Sequence, residues 1–534
     1  MLSKKQTFLN LAQKWIKKRN NILSQRFLAS KIQTDTRQVR QRWKPTVGLE
    51  IHAQIATKSK LFSDASTNFA CPTNSCVSFF DCATPGTLPV LNRKCVEAAV
   101  LTALALSCQL NETSLFERKH YFYADLPAGF QITQQGHPIA VNGELQFYVI
   151  NPKQHGLQYL KSSKLKQIQL EQDSGKTLYD ESTGRSLIDL NRAGIPLMEF
   201  VFEPDLADSE EAAALVKELV LTLQLLGVCS GKMEEGALRI DANVSVNNRD
   251  DSLGTRTEIK NIASPRAVAA AIEYEIKRQI SILDAGDKIF NETRAWDTEK
   301  KQTIPMREKE DKEDYRFMPE TNLPPLRIHV REEIPNKDNL VDAVVLRKQL
   351  PELPEQIRQR LKMVFNISPE VIMSVMSDFI LLDLFFKIIK KDENRQPQLV
   401  AKFLAMELLG FLHKNKLLVD FCIPHEDFIS QIIDLLQDKM INLTTAKKLL
   451  KELLNDSRKL PIEIVEERNW YMISDKKQLE QICLEIIEKN PKLVSGFKCG
   501  KKNLFNALMG QIAKATEQRA DMAAVANLME KLLR

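Results

Sequence analysis

Apolar and polar residues alternate in four short segments of the first 330 residues, and each alternation predicts a β-strand with one buried face. In residues 47–55, Leu49 and Ile51 share one face of the predicted strand, while Glu50 and His52 share the other. The same alternation recurs in residues 168–173, 197–201 and 238–246. The first part of the chain is therefore expected to be rich in strands.

The polar faces of these strands carry many ionisable and amide side chains. Besides Glu50 and His52 they hold Gln169, Glu171, Asp173, Glu199, Arg239, Asp241, Asn243 and Ser245. Oxygen-rich sites with one imidazole suit Mg²⁺ or Mn²⁺ holding the phosphates of a nucleotide. An ordinary amphipathic strand with one solvated face explains each segment as well, and periodicity alone does not show that the four faces converge.

Helical periodicity predicts two helices among these strands. The first covers residues 209–226, where Asp208 and Glu211 have capping-box spacing and Gly227 follows the last turn. The second covers residues 267–283. Strands interrupted by a few helices are typical of a mixed domain.

After Pro324 and Pro325 the pattern becomes helical almost throughout. The most apolar stretch, residues 371–389, contains Asp378 and Asp383, so it predicts a buried helix and no membrane span. A polar stretch at 391–398 predicts a hinge. The predicted fold class is α+β, with a strand-rich domain at 44–330, a helical domain at 331–400 and a helical tail domain at 401–534.

The first 44 residues differ from the rest in charge. They hold twelve Lys and Arg residues against a single acid, Asp35, and the remainder of the chain has a net charge of −5. Apolar residues from Phe8 to Ile16 would form one stripe on a helix. A basic, amphipathic, nearly acid-free segment is typical of a mitochondrial transit peptide, which predicts residues 1–43 as targeting sequence and the mitochondrial matrix as the location. A basic arm that binds RNA or a surface is the alternative.

Cysteine usage and absent motifs narrow the possible classes of site. The nine cysteines include no CxxC pair, so free thiols are expected. The chain also has no GxxxxGK[ST], GxGxxG or GxSxG motif. P-loop, Rossmann and hydrolase-elbow sites therefore have no support.

Ordered sequence blocks resemble the B subunits of the Asp/Glu-tRNA amidotransferases. The resemblance extends over roughly residues 45–534, and eight long blocks in the same order make chance similarity negligible. Those blocks are VGLEIHAQI (47–55), KLFSD (60–64), PGTLPVLN (85–92), RKHYFYADLPAGFQI (118–132), LEQDSG (170–175), DLNRAGIPLMEF (189–200), KMEEGALRIDANVSV (232–246) and GTRTEIKNIASPR (254–266).

The resemblance implies a reaction and its partners. An amidase-type A subunit hydrolyses glutamine, a small C subunit completes the complex, and the B subunit uses ATP and Mg²⁺ (Mn²⁺ is possible) to phosphorylate the glutamyl group of mischarged Glu-tRNA(Gln). Ammonia then displaces the phosphate. One family serves Glu-tRNA and Asp-tRNA alike, and the mitochondrial prediction favours Glu-tRNA(Gln). A tRNA-binding scaffold without activity is the alternative, and retained carboxylates argue against it.

The same resemblance assigns roles to individual residues. It implies metal neighbours at Glu50, His52 and Glu171, with Glu199 and Asp241 as further catalytic residues that orient ligands or line the ammonia exit. Arg239, Asn243 and Lys260 are predicted to bind the nucleotide. From its composition, the basic-aromatic run with Lys119, Tyr121 and Tyr123 is predicted to contact the acceptor end of the tRNA, and a half-buried strand with aromatic packing is the alternative. The resemblance implies that the tail binds tRNA, which predicts phosphate contacts for Lys498, Lys501 and Lys502, and a solvated surface is the alternative.

Two departures from the family pattern matter. Gln172 stands where many members carry a second glutamate, which leaves a metal role at that position in doubt. Some members bind zinc through four cysteines, and the corresponding positions here are Ser63, Ala65, Ser78 and Asp81. We therefore expect no zinc.

Overall fold

The computed structural model describes residues 42–151, 157–248, 253–308, 315–455, 459–498 and 503–533. The predicted targeting segment lies outside these ranges except for its last two residues, and so do Lys501 and Lys502. The chain divides into two compact units, Met1–Leu353 and Pro354–Arg534. The strand-rich first unit and the helical second unit confirm the predicted α+β class, whereas the three predicted domain boundaries remain predictions.

The first unit contains the strands of the described residues. In chain order they are β1 Trp43–Gln54, β2 Gln109–Leu110, β3 Thr113–Ser114, β4 Glu117–His120, β5 Phe130–Thr133, β6 Ala140–Asn151, β7 Leu157–Gln172, β8 Lys176–Asp180, β9 Arg185–Asp189, β10 Pro196–Phe202, β11 Leu238–Asn248, β12 Thr257–Ile262, β13 Glu292–Asp297, β14 Gln302–Glu308, β15 Met318–Pro319, β16 Leu326–His329 and β17 Val341–Asp342.

Nine of these strands form one sheet in the order β14-β13-β12-β11-β1-β10-β7-β6-β2. Neighbouring strands are antiparallel except β12 and β13. The four predicted strands are β1, the end of β7, β10 and β11, which lie side by side in the sheet. Four separately predicted polar faces are thereby joined into one surface.

The opposite, apolar face of this sheet is covered by helices. These helices are α1 Arg93–Ala105, α2 Ser209–Leu225 and α3 Pro265–Asp284, and the shorter α4 Ala343–Lys348 packs against α1. Leu49 and Ile51 of β1 are fully buried and share one core cluster with residues of α1, α2 and α3. Burial of this face leaves the other face available for polar side chains.

Local sequence signals determine where α2 begins and ends. The side chain of Asp208 accepts hydrogen bonds from the backbone N–H groups of Glu210 and Glu211, both at 3.0 Å. The Glu211 carboxylate accepts from the N–H of Ala207 at 2.8 Å, one residue before the cap. Gly227 follows the helix with φ +67°, a left-handed conformation that glycine adopts without strain. The predicted helix and its Asp208 N-cap are confirmed, whereas the predicted capping box is not formed, because Glu211 bonds to the N–H of Ala207 and not to that of Asp208.

The second unit is helical in its described part. Its α-helices are α5 Pro354–Met363, α6 Pro369–Val375, α7 Phe379–Lys391, α8 Pro397–Lys402, α9 Leu409–Asn415, α10 Glu426–Gln437, α11 Leu443–Glu452, α12 Pro461–Glu467, α13 Lys476–Lys489, α14 Pro491–Lys498, α15 Asn503–Ala515 and α16 Met522–Leu533. A π-helical turn, Phe403–Leu408, joins α8 to α9.

One helix prediction in this unit is wrong. The sequence predicts a single buried helix over residues 371–389, but α6 ends at Val375 and α7 begins at Phe379. Asp378 causes the break, because its carboxylate accepts from the N–H of Ile380 at 2.8 Å and so caps α7. The neighbouring polar stretch is anchored, since the buried Arg395 forms a two-pronged ion pair with Asp434.

No helix in the described ranges is long and apolar enough to cross a membrane.

Candidate active site

The polar face of the large sheet borders a cavity of about 710 Å³ within the first unit. Its lining includes residues of β1, β4, β5, β7, β10, β11 and β12. Of the residues predicted from the sequence, it is lined by Glu50, His52, Lys119, Tyr121, Glu171, Glu199, Arg239, Asp241 and Lys260. The pairing of the strands therefore brings together most of the predicted catalytic and nucleotide-binding residues.

His52, Glu171 and Glu199 form the tightest cluster in the cavity. Strand pairing sets His52 opposite Glu199, and Glu171 lies on the next strand opposite Leu197. His52 Nε2 lies 3.2 Å from Glu171 Oε1 and 3.8 Å from Glu199 Oε1. Each residue offers one ligand atom, and these three atoms lie within 4.8 Å of one another. Among the described residues this is the one such group of His, Cys, Asp or Glu side chains.

Burial and the charges of the three neighbouring side chains shift the pKa of each member of the cluster. Burial lowers the pKa of His52, but the charge of Glu199 and the hydrogen bond to Glu171 outweigh it and raise the pKa to about 9. Burial also opposes the charge on Glu171, but the hydrogen bond and charge of His52 lower the pKa of Glu171 to about 2. Burial and the neighbouring charge of Glu171 raise the pKa of Glu199 to about 8. At neutral pH the cluster thus holds an imidazolium and a protonated carboxyl group.

Glu50 and Asp241 lie beside this cluster and are engaged differently. The two residues are opposite each other on β1 and β11. Glu50 Oε1 accepts a hydrogen bond from Asn243 Nδ2 at 3.0 Å, and Glu50 lies outside the three-residue group in the described part of the chain. Asp241 Oδ2 accepts from Lys260 Nζ at 2.9 Å.

Asp173, another carboxylate of the cavity wall, binds two arginine side chains, of which Arg239 lines the cavity and Arg192 does not. Arg239 Nη2 donates to Asp173 Oδ2 at 2.6 Å, and Arg192 Nε lies 3.7 Å from the same oxygen. Gln172 is buried and does not line the cavity, and its backbone carbonyl accepts from Gln131 Nε2 at 2.8 Å. The departure from the family pattern at Gln172 therefore falls outside the residues that line the cavity.

The basic-aromatic run at 119–123 divides between the cavity and the surface. Lys119 Nζ faces the ring of Tyr315 at 4.6 Å and that of Tyr121 at 5.8 Å. Phe122 and Tyr123 are 88% and 56% exposed and do not line the cavity. Tyr123 lies outside the cavity, but its ring packs edge-to-face against that of Tyr121, with 5.7 Å between the ring centroids.

Several lining residues were not identified from the sequence, among them Tyr315, Arg256 and Glu258. Arg256 and Glu258 belong to the block at 254–266, so membership of that block was the available signal for these two residues. The pattern of alternation did not mark them. Lys498, one of the predicted tRNA contacts, is the last residue of α14 in the second unit and does not line the cavity of the first unit.

The four positions at which some family members carry zinc-binding cysteines lie at a buried ion pair, which one of them, Asp81, forms with Lys60. Lys60 Nζ donates to Asp81 Oδ2 at 3.0 Å, and both side chains are essentially fully buried. Asp81 also accepts from Ser63 Oγ at 3.0 Å and from the backbone N–H of Ser78 at 2.9 Å. The Ala65 carbonyl accepts from the Lys60 N–H at 3.0 Å. Hydrogen bonds and one ion pair thus hold these four positions together.

Comparison with known proteins matches segments of both units to family models named for the same protein, GatB. Residues 45–333 match the family model described as the GatB/GatE catalytic domain, and residues 383–533 match the GatB domain. The B subunit of the mitochondrial glutamyl-tRNA(Gln) amidotransferase of Aedes aegypti is 52% identical over 92% of this chain and 94% of its own length. The corresponding protein of Homo sapiens is 45% identical, covering 93% of this chain and 90% of its own length.

A bacterial relative extends the comparison. The B subunit of the aspartyl/glutamyl-tRNA(Asn/Gln) amidotransferase of Rickettsia rickettsii (strain Sheila Smith) is 40% identical over 92% of this chain and 98% of its own length. The matched segments include every residue of the cavity. This chain therefore belongs to the family of amidotransferase B subunits, whose catalytic domain GatB shares with GatE.

Proposed function

We propose that this chain is the B subunit of a mitochondrial glutamyl-tRNA(Gln) amidotransferase and that its cavity converts the glutamyl group of Glu-tRNA(Gln) to glutaminyl with ATP and ammonia. The observation that carries the proposal is the His52–Glu171–Glu199 cluster in a cavity that also contains cationic side chains. The names of the insect and human relatives and the basic, acid-poor first 44 residues support the mitochondrial matrix as its location.

The cluster suits a divalent cation in its charge and its donor atoms. At neutral pH it holds an imidazolium and a protonated carboxyl group, and one divalent ion has the same charge as those two protons. Carboxylate oxygens with one imidazole suit Mg²⁺ or Mn²⁺. His52, Glu171 and Glu199 would hold the ion, and the charge of the neighbouring Glu50, which raises the pKa of Glu199, would add to the attraction for a cation. When bound, the ion neutralises the charge of the transferring phosphoryl group.

The cations of the cavity suit phosphate and carboxylate groups of the substrates. Lys119 faces aromatic rings and has no carboxylate within ion-pair distance among the described residues. Arg239 and Lys260 are held by Asp173 and Asp241, which fixes their positions at the wall. A fixed cation stabilises developing charge without reorganising during the reaction. Lys119 is thus a cation available to the transferred phosphate, while Arg239 and Lys260 position the nucleotide. Asn243, predicted as a further nucleotide ligand, does not line the cavity and would act through its hydrogen bond to Glu50.

The reaction needs positioning more than a nucleophilic side chain. A glutamyl carboxylate oxygen attacks the terminal phosphorus of ATP, and ADP leaves with the bridging oxygen. Ammonia nitrogen then attacks the acyl carbon of the resulting acyl phosphate, phosphate leaves and the nitrogen loses a proton.

Partner chains supply the remaining components. The sequence has no GxSxG motif and no Gly/Ser-rich amidase stretch, which supports ammonia production by a separate amidase-type A subunit, with a small C subunit in the complex. Lys119 and Tyr121 inside the cavity and Tyr123 outside it would contact the acceptor end of the tRNA. Lys498, Lys501 and Lys502 would contact its phosphates through the tail.

The direct test removes the cluster and supplies ammonia independently. In a complex reconstituted with A and C subunits, His52→Ala, Glu199→Gln or Glu50→Gln should reduce Gln-tRNA formation more than tenfold, even with ammonium chloride in place of glutamine, because losing one electrostatic contact to the transition state costs about 2.7–4 kcal/mol. Glutamine hydrolysis by the A subunit should persist.

A matched control uses a histidine outside the cavity. His137 is more than half exposed, so His137→Ala should leave amidation at the normal rate. Normal ammonia-dependent amidation in the His52 and Glu199 variants would exclude the cluster from the chemistry and would favour the scaffold alternative. Substituting Asp-tRNA for Glu-tRNA in the same assay measures the preference between the two substrates.

A further inference from the structure

Two buried polar residues contact the carboxylates of the His52–Glu171–Glu199 cluster from outside the cavity. Gln169 on β7 is paired in register with Glu199 on β10, and Thr133 is the last residue of β5. Both residues are almost completely buried, and neither is among the described residues that line the cavity. Because buried polar groups are almost always hydrogen-bonded, the partners of these two side chains show which groups they hold in place.

Each glutamate of the cluster divides its two carboxylate oxygens between different contacts. Oε1 of Glu171 lies 3.2 Å from His52 Nε2, and Oε1 of Glu199 lies 3.8 Å from the same nitrogen. Oε2 of Glu199 accepts a hydrogen bond from Gln169 Nε2 at 2.5 Å. Oε2 of Glu171 accepts from Thr133 Oγ1 at 3.3 Å. One oxygen of each carboxylate is thus held by a buried donor, while the other faces the imidazole.

The donors are themselves fixed by further hydrogen bonds. Gln169 Oε1 accepts from Gln167 Nε2 at 2.5 Å, so the amide nitrogen of Gln169 is the atom directed at Glu199. The same nitrogen donates to Thr133 Oγ1 at 3.2 Å, which leaves the hydroxyl proton of Thr133 for Glu171. Gln169 and Thr133 therefore join both carboxylates of the cluster into one buried network.

We propose that Gln169 and Thr133 are positioning residues, each of which restricts one glutamate of the cluster to a single oxygen ligand for the divalent cation. The inference rests on the proposed function, because it takes the cluster as the cation site. The terminal torsion of a glutamate is broad, so a carboxylate without a second partner can turn and offer both oxygens. A hydrogen bond to one oxygen removes that freedom, and residues that orient metal ligands in this way contribute about 10–100-fold to metal affinity.

The same restriction affects which cation the cluster prefers. Each of the three residues offers one ligand atom. Ca²⁺ takes more oxygen ligands than Mg²⁺ and often binds both oxygens of a carboxylate, whereas Mg²⁺ usually keeps several water ligands. Mn²⁺ suits the same oxygen ligands as Mg²⁺. Gln169 and Thr133 should therefore favour Mg²⁺ and Mn²⁺ over Ca²⁺.

Binding of Mn²⁺ alone to the full-length chain tests the inference without the amidation reaction. Electron paramagnetic resonance measures free Mn²⁺, and competition with Ca²⁺ measures the preference between the two ions. We expect Gln169→Met and Thr133→Val to weaken Mn²⁺ binding at least about tenfold and to lower the preference for Mn²⁺ over Ca²⁺. Thr133→Ser keeps the hydroxyl group and should retain the wild-type affinity and preference.

Gln279 provides the matched control for the loss of a buried amide. It is fully buried on the helix-covered side of the sheet, where its Nε2 donates to the Val244 carbonyl and to Thr257 Oγ1, both at 3.1 Å. Gln279→Met should lower the unfolding temperature, as Gln169→Met does, but leave Mn²⁺ affinity unchanged. Equal weakening of Mn²⁺ binding by these two variants would mean that general destabilisation causes the effect, and the proposal would be wrong.

His52→Ala separates failure of this inference from failure of the proposed function. If His52→Ala leaves Mn²⁺ binding unchanged, the cluster is not the cation site and both fail. If His52→Ala removes Mn²⁺ binding while Gln169→Met and Thr133→Val bind Mn²⁺ like the wild type, only the positioning role is wrong. Should Gln169→Met not fold, the comparison of Thr133→Val with Thr133→Ser decides, and equal Mn²⁺ affinities of those two variants would overturn the proposal.

Discussion

At the scale of single residues, the buried Lys60–Asp81 pair shows how a charge is kept inside the first unit. Lys60 is fully buried, and Asp81 accepts from Lys60, Ser63 and the backbone of Ser78. Removing two charges from water costs several kcal/mol per ion, and good geometry with additional hydrogen bonds offsets that cost. The pair therefore contributes to stability only while both partners are present.

We predict that Lys60→Met lowers the free energy of unfolding of the first unit by about 3–5 kcal/mol, because Asp81 is left as an unpaired buried charge. The double variant Lys60→Met/Asp81→Leu should recover most of that loss. Urea-dependent proteolysis of the full chain, followed on fragments of the first unit, measures both effects.

The surface pair Lys348–Glu332 provides the control for this prediction. Its side chains are 72% and 71% exposed, so Lys348→Met should change stability by less than about 1 kcal/mol. If Lys60→Met and Lys348→Met lowered the free energy of unfolding equally, burial of the Lys60–Asp81 pair would not explain the effect.

At the scale of secondary-structure elements, the strands were predictable and part of the site was not. Alternation identified the polar faces of β1, β7, β10 and β11, because the period of two is a local property of the chain. That His52 faces Glu199 depends on strand pairing between residues far apart in sequence. Tyr315 reaches the cavity from a segment without alternation, so no local pattern marked it.

The wrong helix prediction has a local cause that periodicity hides. Residues 371–389 are apolar on both sides of Asp378, and a helical period continues through the break. Ser377 and Asp378 are compatible with a helix interior, but Asp378 is extended at φ −147° and caps α7. Capping competes with helix continuation at aspartate, and tertiary packing decides between the two.

The cap of α2 gives a prediction at the same scale. Asp208→Ala removes the acceptor for two backbone N–H groups and should destabilise the first unit by about 1 kcal/mol, within a range of about 0.5–2. Thermal unfolding of the full chain, compared with Asp287→Ala at an exposed position beyond the end of α3, measures the difference. A change no greater than that of Asp287→Ala would show that the cap does not limit the stability of this unit.

At the scale of the whole molecule, we predict that lysines of the second unit affect tRNA binding separately from the catalytic residues of the first unit. Changing Lys498, Lys501 and Lys502 to Ala should weaken tRNA binding and reduce the slope of log affinity against log salt by about 0.7–0.9 per lost phosphate contact. Binding titrations at several salt concentrations provide the measurement.

Exposed lysines of the first unit serve as controls for the tail. Changing Lys288, Lys300 and Lys301 to Ala removes the same number of charges from exposed positions. If both triple variants reduce the slope equally, the tail lysines act only through the overall charge of the molecule.

The first 40 residues are predicted to act in delivery and not in catalysis. Their deletion should leave the folding and the in vitro amidation of the remaining chain intact but prevent its import into isolated mitochondria. Import of the shortened chain, or a mature protein that still contains Trp15, would contradict the targeting prediction.

The pairing of β10 with β1 and β7 also limits where codons can be inserted or deleted in the gene during evolution. Deleting one codon within residues 197–201 would shift the register, turn Glu199 towards the apolar side of the sheet and present an apolar neighbour to His52. The exposed tip of the β8–β9 hairpin at residues 181–184 carries no such constraint. Among related genes, gained or lost codons should therefore accumulate at that tip and be absent from β10, even where β10 tolerates apolar substitutions.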